Sequence, residues 1–145
     1  KVIRDLYLKT KKNKNIDYEY IVDLDVTSPL RSKKDITGAL KKILRTKKLN
    51  LITIVESKKN PYFNMVEIKD NKINISKKTN KKILSRQVAP KVYDMNASIY
   101  IWKRKALFSN KPLFSNKTGI YVMPKERSFD IDDLIDLKIV KCLSN

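Results

Sequence analysis

Histidine is absent from the 145 residues, cysteine occurs once, at Cys142, and glycine twice, at Gly38 and Gly119. Each shortage removes a class of chemistry. Without histidine, neither a Ser-His-Asp nor a Cys-His arrangement can be assembled, and the usual zinc ligand sets are lost as well. A single cysteine forbids an intrachain disulfide and is compatible with a reducing cytoplasm. A loop that wraps phosphate in backbone N–H groups needs small residues, and with two isolated glycines neither GxGxxG nor a P-loop can be written. No run of about eighteen apolar residues is present, and no charged-then-apolar leader opens the chain. A soluble, cytoplasmic protein with no membrane partner is therefore expected, whose chemistry rests on carboxylates, cations and bound ions.

Acids are scarce too. Fifteen Asp and Glu stand against 33 Lys and Arg, a net charge of +18. Such a balance ordinarily suggests a polyanionic partner. Here, however, lysine supplies 27 of the basic residues and arginine only 6. Lysine, isoleucine and asparagine, all abundant, share codons rich in A and T. The lysines form scattered pairs such as Lys11-Lys12, Lys41-Lys42 and Lys77-Lys78 and make no single stripe. Base and phosphate recognition favours arginine, so codon bias accounts for the charge and no nucleic-acid partner is expected. A basic nucleic-acid-binding protein is the competing class.

The pattern of apolar residues alternates between helix and strand. Ile3, Leu6, Tyr7 and Thr10 share a helical face, ended by the polar run from Lys11 to Asn15. "YIVDLDV" from Tyr20 reads as a strand that stops before Pro29. Ser32 and Asp35 form a capping-box spacing ahead of Ile36, Leu40, Ile43 and Leu44, a second helix to about Thr46. "LITIVE" at 51–56 is a strand of parallel-sheet character, which completes a βαβ unit. "FNMVEIK" and "KINIS" flank Asp70-Asn71 as a hairpin. "ASIYIW" and "GIYVM" are strands, and "DDLIDLKIVKCL" is a closing helix with Leu134, Ile135, Ile139 and Cys142 near one face. The order predicts an α/β chain with an antiparallel excursion.

Against this acid-poor background, Asp130, Asp132, Asp133 and Asp136 crowd into seven positions. Extended geometry over Ser128–Asp132 puts Asp130 and Asp132 on one face and turns Phe129 and Ile131 inward. Helix capping is the alternative: Asp132 or Asp133 at the N-cap or first turn meets the favourable end of the macrodipole. Capping leaves Asp130 unexplained, because it lies before the helix. Asp25, at the carboxyl end of a strand, points into the usual ligand crevice of an open sheet or serves as a turn acid. Ser28 and Arg31 order the same loop, or Arg31 pairs with a helix carboxylate.

Four stretches in order, "LDVTSPLR" (24–31), "NPYFNM" (60–65), "RQVAPKVYDMNASIYIW" (86–102) and "YVMPKERSFDIDDLIDLKIV" (121–140), resemble the successive signatures of the acylneuraminate cytidylyltransferases, or CMP-sialic acid synthetases. The resemblance covers about Ile21 to Val140. It implies a Rossmann-like nucleotidyltransferase fold, a three-layer sandwich of the nucleotide-diphospho-sugar transferase type. It also implies one domain over 1–145 with 60–92 as an excursion that mediates homodimerisation. The family's opening signature, a Gly- and Lys-containing CTP phosphate loop, has no counterpart here. A chain incomplete at its N-terminus, inactive by itself, is expected. The chain begins inside a helix without an initiator methionine, in line with that expectation. A non-catalytic relative is the third possibility.

What the resemblance implies for activity is transfer of CMP from CTP to a nonulosonic, 2-keto sugar acid with release of pyrophosphate, in the presence of Mg²⁺, with Mn²⁺ as a substitute. It assigns Asp130 and Asp132, the "DID" of the last signature, to the metal, and Arg86 and Gln87 of "RQVAP" to the sugar acid. The planar fork of arginine takes a carboxylate through two parallel hydrogen bonds; a surface ion pair is the alternative for Arg86. Asn96 falls on a substrate-side asparagine, or is a turn residue. Asp25, where many relatives have glutamine, is implied as a sugar contact or a metal ligand, as in the Kdo cytidylyltransferases, with Ser28 and Arg31 beside it. Two departures, Asp94 in place of arginine and Phe63 near an expected lysine, leave open legionaminic or pseudaminic acid instead of N-acetylneuraminate.

Overall fold

A computed structural model of the protein describes residues 2–80, 82–110 and 112–144. The chain divides into two compact units, Lys1–Val55 with Met95–Asn145, and Glu56–Asp94. In the first, α1 (Val2–Lys14), β1 (Tyr20–Leu24), α2 (Lys33–Thr46) and β2 (Asn50–Glu56) follow one another. The chain later returns as β5 (Tyr93–Lys103), a single-turn α3 (Arg104–Leu107), β6 (Thr118–Val122) and α4 (Leu134–Leu143). No helix among the described residues is long and apolar enough to cross a membrane.

The sheet order is β1-β5-β2-β6. β1 runs antiparallel to β5, with Tyr20 opposite Lys103 and Leu24 opposite Ile99. β2 runs parallel to β6, with Asn50 opposite Thr118 and Ile54 opposite Val122. Lys103 N–H donates to the Leu49 carbonyl at 2.9 Å, and Ile99 N–H to Thr53 Oγ1 at 2.9 Å, so β5 also opposes β2 in direction. The expected succession of strand, helix and strand is present, but β1 and β2 are not neighbours. β5, arriving from far along the chain, is inserted between them, a pairing that local pattern cannot encode.

Helix α2 starts where its capping box says it should: Ser32 Oγ accepts from Asp35 N–H at 3.3 Å and Asp35 Oδ2 accepts from Ser32 N–H at 2.8 Å. It buries Ala39 and Ile43 against Leu51, Ile99, Ile101 and Met123, with Ile36, Leu40, Tyr20 and Tyr121 at the margin. Leu44, expected on this face, lies half exposed, so the buried stripe is turned toward Ala39. Gly38 is needed for contact with β6, because a Cβ there would come within 2.6 Å of the Tyr121 hydroxyl.

Helix α1 buries Tyr7, edge-on to Phe108. Its predicted face of Ile3, Leu6, Tyr7 and Thr10 lines a cavity of about 190 Å³ along β1, which leaves Leu6 exposed. The closing helix departs from expectation in its buried face: Val140 is the enclosed residue, while Leu134, Ile135 and Cys142 are exposed.

The second unit is held at its start by Asn60, which is buried. Its carbonyl accepts from Phe63, Asn64 and Met65, its Oδ1 accepts from Tyr62 N–H and its Nδ2 donates to Pro90. The hairpin joins β3 (Val66–Lys69) and β4 (Lys72–Ile75) through Asp70 and Asn71, both left-handed at φ 51° and 57°, as a type I′ turn requires. Cross-strand register sets Val66 beside Ile75 and Ile68 beside Ile73 on one face, and all eight strand residues are exposed.

Candidate functional site

At the carboxyl end of β1 the chain turns sharply. Asp25 N–H donates to the Ser98 carbonyl of β5 at 3.2 Å. Thr27 then folds back, its N–H and Oγ1 donating to Asp25 Oδ1 at 3.1 and 2.8 Å. The Thr27 amide bond, more than any other contact, holds the Asp25 carboxyl below the usual aspartate range, with the Arg31 charge assisting. Arg31 Nη1 donates to the carbonyls of Asp25 and, at 3.2 Å, Ser98. Its partners are therefore main-chain oxygens; the helix carboxylate that offered an alternative, Asp35, is taken by another arginine. Ser28 is fully buried, with Oγ near the Asn96 carbonyl at 3.5 Å. It shapes the loop from within.

Asn96 lies on β5 just before Ala97, which takes a left-handed φ of 50° within the strand. Asn96 Nδ2 donates to Ser128 Oγ at 3.0 Å, and Ser128 Oγ donates to the Pro124 carbonyl at 2.7 Å. These bonds dock the segment after β6 onto β5. Ile131 N–H donates to the Thr27 carbonyl at 3.0 Å, which brings the Asp130 segment to the Asp25 loop. Asp130 is half-buried, and its Oδ1 is enclosed with no hydrogen-bond partner, as is Asn96 Oδ1.

The remaining acids of the crowded run behave differently. Asp132 is exposed and its N–H donates to Asp136 Oδ2. Asp133 is the N-cap of α4: its Oδ1 accepts from Ile135 and Asp136 N–H at 2.7 and 2.9 Å, and Asp136 completes the box. Capping thus consumes Asp133 and Asp136 and leaves Asp130 outside.

Two residues that local pattern did not single out join this surface. Tyr100 stands opposite Asp23 across β1 and β5. Burial raises the Tyr100 hydroxyl pKa, and the charges of Asp25, Asp23 and Asp130 raise it further, so three carboxylates act on one phenol. Asp23 is itself raised, by burial and then by Asp25. The signal for Asp23 was available: it lies two residues before Asp25 on a strand, the spacing that returns to one side.

No described set of three or more Asp, Glu, Cys or His residues is placed to hold a metal ion. A cation that keeps its waters and takes only one or two carboxylates, as Mg²⁺ does, fits better, and the bare oxygen of Asp130 suits it. In the other unit Arg86 and Gln87 open a short 3₁₀ turn, Arg86–Val88, and both are exposed. Among the described residues no carboxylate pairs with Arg86.

No protein-family model matches the chain. It is 46% identical over 142 residues to a CMP-N,N′-diacetyllegionaminic acid synthase of Campylobacter jejuni, and 42% identical over 142 residues to a post-translational flagellin modification protein B of Campylobacter coli. Each alignment takes in 98% of this chain and 60% of the relative. By sequence, the chain is similar to these two relatives over nearly its whole length. It spans about three-fifths of the length of these curated relatives.

The fold agrees with that of a cytidylyltransferase. The crystal structure of 4-diphosphocytidyl-2C-methyl-D-erythritol synthase from Anaerococcus prevotii superposes with a TM-score of 0.52 at 14% identity, over 94% of this chain and 63% of that one. Of the stretches that carry the resemblance, "LDVTSPLR" supplies the Asp25 loop, and "RSFDID" supplies Ser128 and Asp130. "NPYFNM" turns out to be built around the buried Asn60.

Proposed function

We propose that the gene product carrying this chain is a CTP-dependent nonulosonic acid cytidylyltransferase. The observation that carries the reading is the 46% identity, over nearly the whole chain, to a CMP-N,N′-diacetyllegionaminic acid synthase. In the proposed reaction the anomeric oxygen of a 2-keto sugar acid attacks the α-phosphorus of CTP. A new P–O bond forms, the bond to the β-phosphate oxygen breaks, and pyrophosphate leaves. Such a displacement depends on in-line positioning and on cations that offset charge on the phosphate oxygens.

In this reading Asp130 and Asp132 would hold Mg²⁺ or Mn²⁺, with Asp25 supplied from the neighbouring loop. When bound, the cation supplies positive charge to the phosphate oxygens and orients them. The chain's own groups do the rest. Arg31 and Thr27 hold the Asp25 turn, and Ser28 and Asn96 brace it from beneath. Arg86 and Gln87 receive the sugar carboxylate. The exposed apolar face of the hairpin, Val66, Ile68, Ile73 and Ile75, is the contact for a homodimer. Use of CTP sets the protein in the cytoplasm. With only Gly38 and Gly119, the sequence offers no Gly-rich phosphate loop, and on this reading the chain by itself would give no turnover.

The legionaminic-type acid is the favoured substrate, in line with Asp94 and Phe63 and with the name of the relative. Pyrophosphate release from CTP by the gene product, with N,N′-diacetyllegionaminate, pseudaminate and N-acetylneuraminate in turn, tests this. The first acid should exceed the last by at least about tenfold in kcat/KM. No release with any of the three in the presence of Mg²⁺ would overturn the reading. Arg86→Lys should raise the sugar-acid KM by about tenfold to a hundredfold, the scale of a charge-assisted hydrogen bond, and leave the CTP KM nearly unchanged; equal losses would make Arg86 structural.

A further inference from the structure

The loops that carry Asp25 and Asp130 are joined by a side chain to which none of the preceding roles belongs. Arg127 closes the 3₁₀ turn Lys125–Arg127 and lays its guanidinium on Asp35, with Nε 2.8 Å from Oδ2 and Nη2 3.0 Å from Oδ1. The partners are 92 residues apart, so the fork is a tertiary clasp. Asp35 is fully buried and already fixed by Ser32, whose N–H and Oγ donate to Oδ2 at 2.8 and 2.7 Å. Ser32 follows directly on the Asp25–Arg31 loop, and Asp130 follows three residues after Arg127. Three ties therefore fasten the Asp130 segment: Arg127 on Asp35, Asn96 on Ser128, and Ile131 on Thr27. Two of them are single neutral hydrogen bonds. The Arg127 fork is charge-assisted and bidentate, and fixes a plane as well as a distance.

We propose that Arg127 is a positioning residue whose clasp on Asp35 sets Asp130 against the Asp25 loop at the spacing a divalent cation needs. The inference rests on the reading of Asp130 as a metal ligand. Mg²⁺ demands near-ideal octahedral geometry and tolerates little drift in its carboxylates. Groups that orient a metal ligand from behind are worth about 10–100-fold in metal affinity. Lysine keeps the charge of Arg127 but not its fork, so it does not replace it.

Mn²⁺ alone, titrated into the full gene product and followed by paramagnetic broadening of the Thr27 and Ile131 amide signals, tests the clasp without any turnover. Arg127→Lys and Asp35→Asn should each weaken Mn²⁺ binding by at least about tenfold, and Asp130→Asn should abolish it. Ile43→Val, which loosens the core but touches neither loop, should lower Tm and leave Mn²⁺ affinity unchanged. If Ile43→Val weakens binding as much as Arg127→Lys, the effect is general destabilisation and the inference falls. If Arg127→Lys and Asp35→Asn bind Mn²⁺ as the parent chain does while Asp130→Asn does not, the clasp is overturned and the metal reading stands. No broadening in the parent chain would overturn both.

Discussion

Helices α2 and α4 open in the same way, and the contrast lies in what each opening leaves over. At α2 the box joins Ser32 to Asp35, and the buried Asp35 carboxylate collects four donated hydrogen bonds, two from Ser32 and two from Arg127. At α4 the box joins Asp133 to Asp136 on an exposed surface, without a cation. Immediately before it stands Asp130, half-buried with one enclosed oxygen that nothing satisfies. A carboxylate with all its partners present is structural. One held in place by its backbone neighbours yet left bare is available to a ligand, since a buried unsatisfied oxygen otherwise costs about 1–3 kcal/mol.

The sharpest way to break this contrast is to neutralise the bare acid. Asp130→Asn in the gene product should lower kcat by at least about a hundredfold, the scale of a lost electrostatic contact to the transition state. Tm should hardly move, because Asp130 makes no side-chain hydrogen bond in the structure. Extra Mn²⁺ should recover part of the rate. A large fall in Tm with a proportionate fall in rate would make Asp130 structural, like Asp35.

The satisfied acid gives the next effect. Burial pushes the Asp35 carboxyl up, but the Arg127 fork and the Ser32 donors outweigh it and leave it below the ordinary aspartate value. A lowered folded-state pKa contributes stability that is full above the unfolded value of about 3.9 and is lost as pH falls through the folded value. Arg127→Gln should therefore destabilise most near neutrality, by less than the loss of a fully buried pair because water reaches the guanidinium. The gap from the parent chain should narrow as pH drops below about 3.9. Chemical denaturation across pH 2–8, roughly the span of carboxylate titration, checks the sign; a gap that widens in acid would remove Asp35 as its cause.

Much of this contrast was written locally, and the rest was not. Ser32–Asp35 and Asp70-Asn71 are short-range signals whose partners lie within four residues, and both elements formed as read. The strand order was hidden because β5 (Tyr93–Lys103) reaches its place between β1 and β2 only after the whole Glu56–Asp94 unit has intervened. The clasp was hidden for the same reason: nothing near Asp35 points to Arg127, 92 residues away. Periodicity also overstated burial. It grouped Leu134, Ile135, Ile139 and Cys142 as one face, whereas the residue α4 buries is Val140. At the site, the place of Asp130 ahead of the helix, outside the capping box of Asp133 and Asp136, was legible. That its oxygen would be enclosed was not, because the segment is docked by Thr27 and Asn96, which come from distant parts of the chain.

The smallest effect separates the two explanations for the crowded acids most directly, because asparagine is a discriminating substitute. As an N-cap it matches aspartate, since its side-chain oxygen still accepts from the second and third backbone N–H groups, while alanine loses the bond and costs about 1 kcal/mol. As a metal ligand asparagine loses the charge. Asp133→Asn should therefore change neither Tm nor kcat beyond error. Asp133→Ala should lower stability by about 1 kcal/mol, seen as faster amide exchange along α4, with kcat preserved once the protein is folded. Asp130→Asn gives the opposite pattern. If Asp133→Asn reduces kcat as far as Asp130→Asn does, the cap and the bare acid belong to a single electrostatic site, and the division drawn between them is wrong.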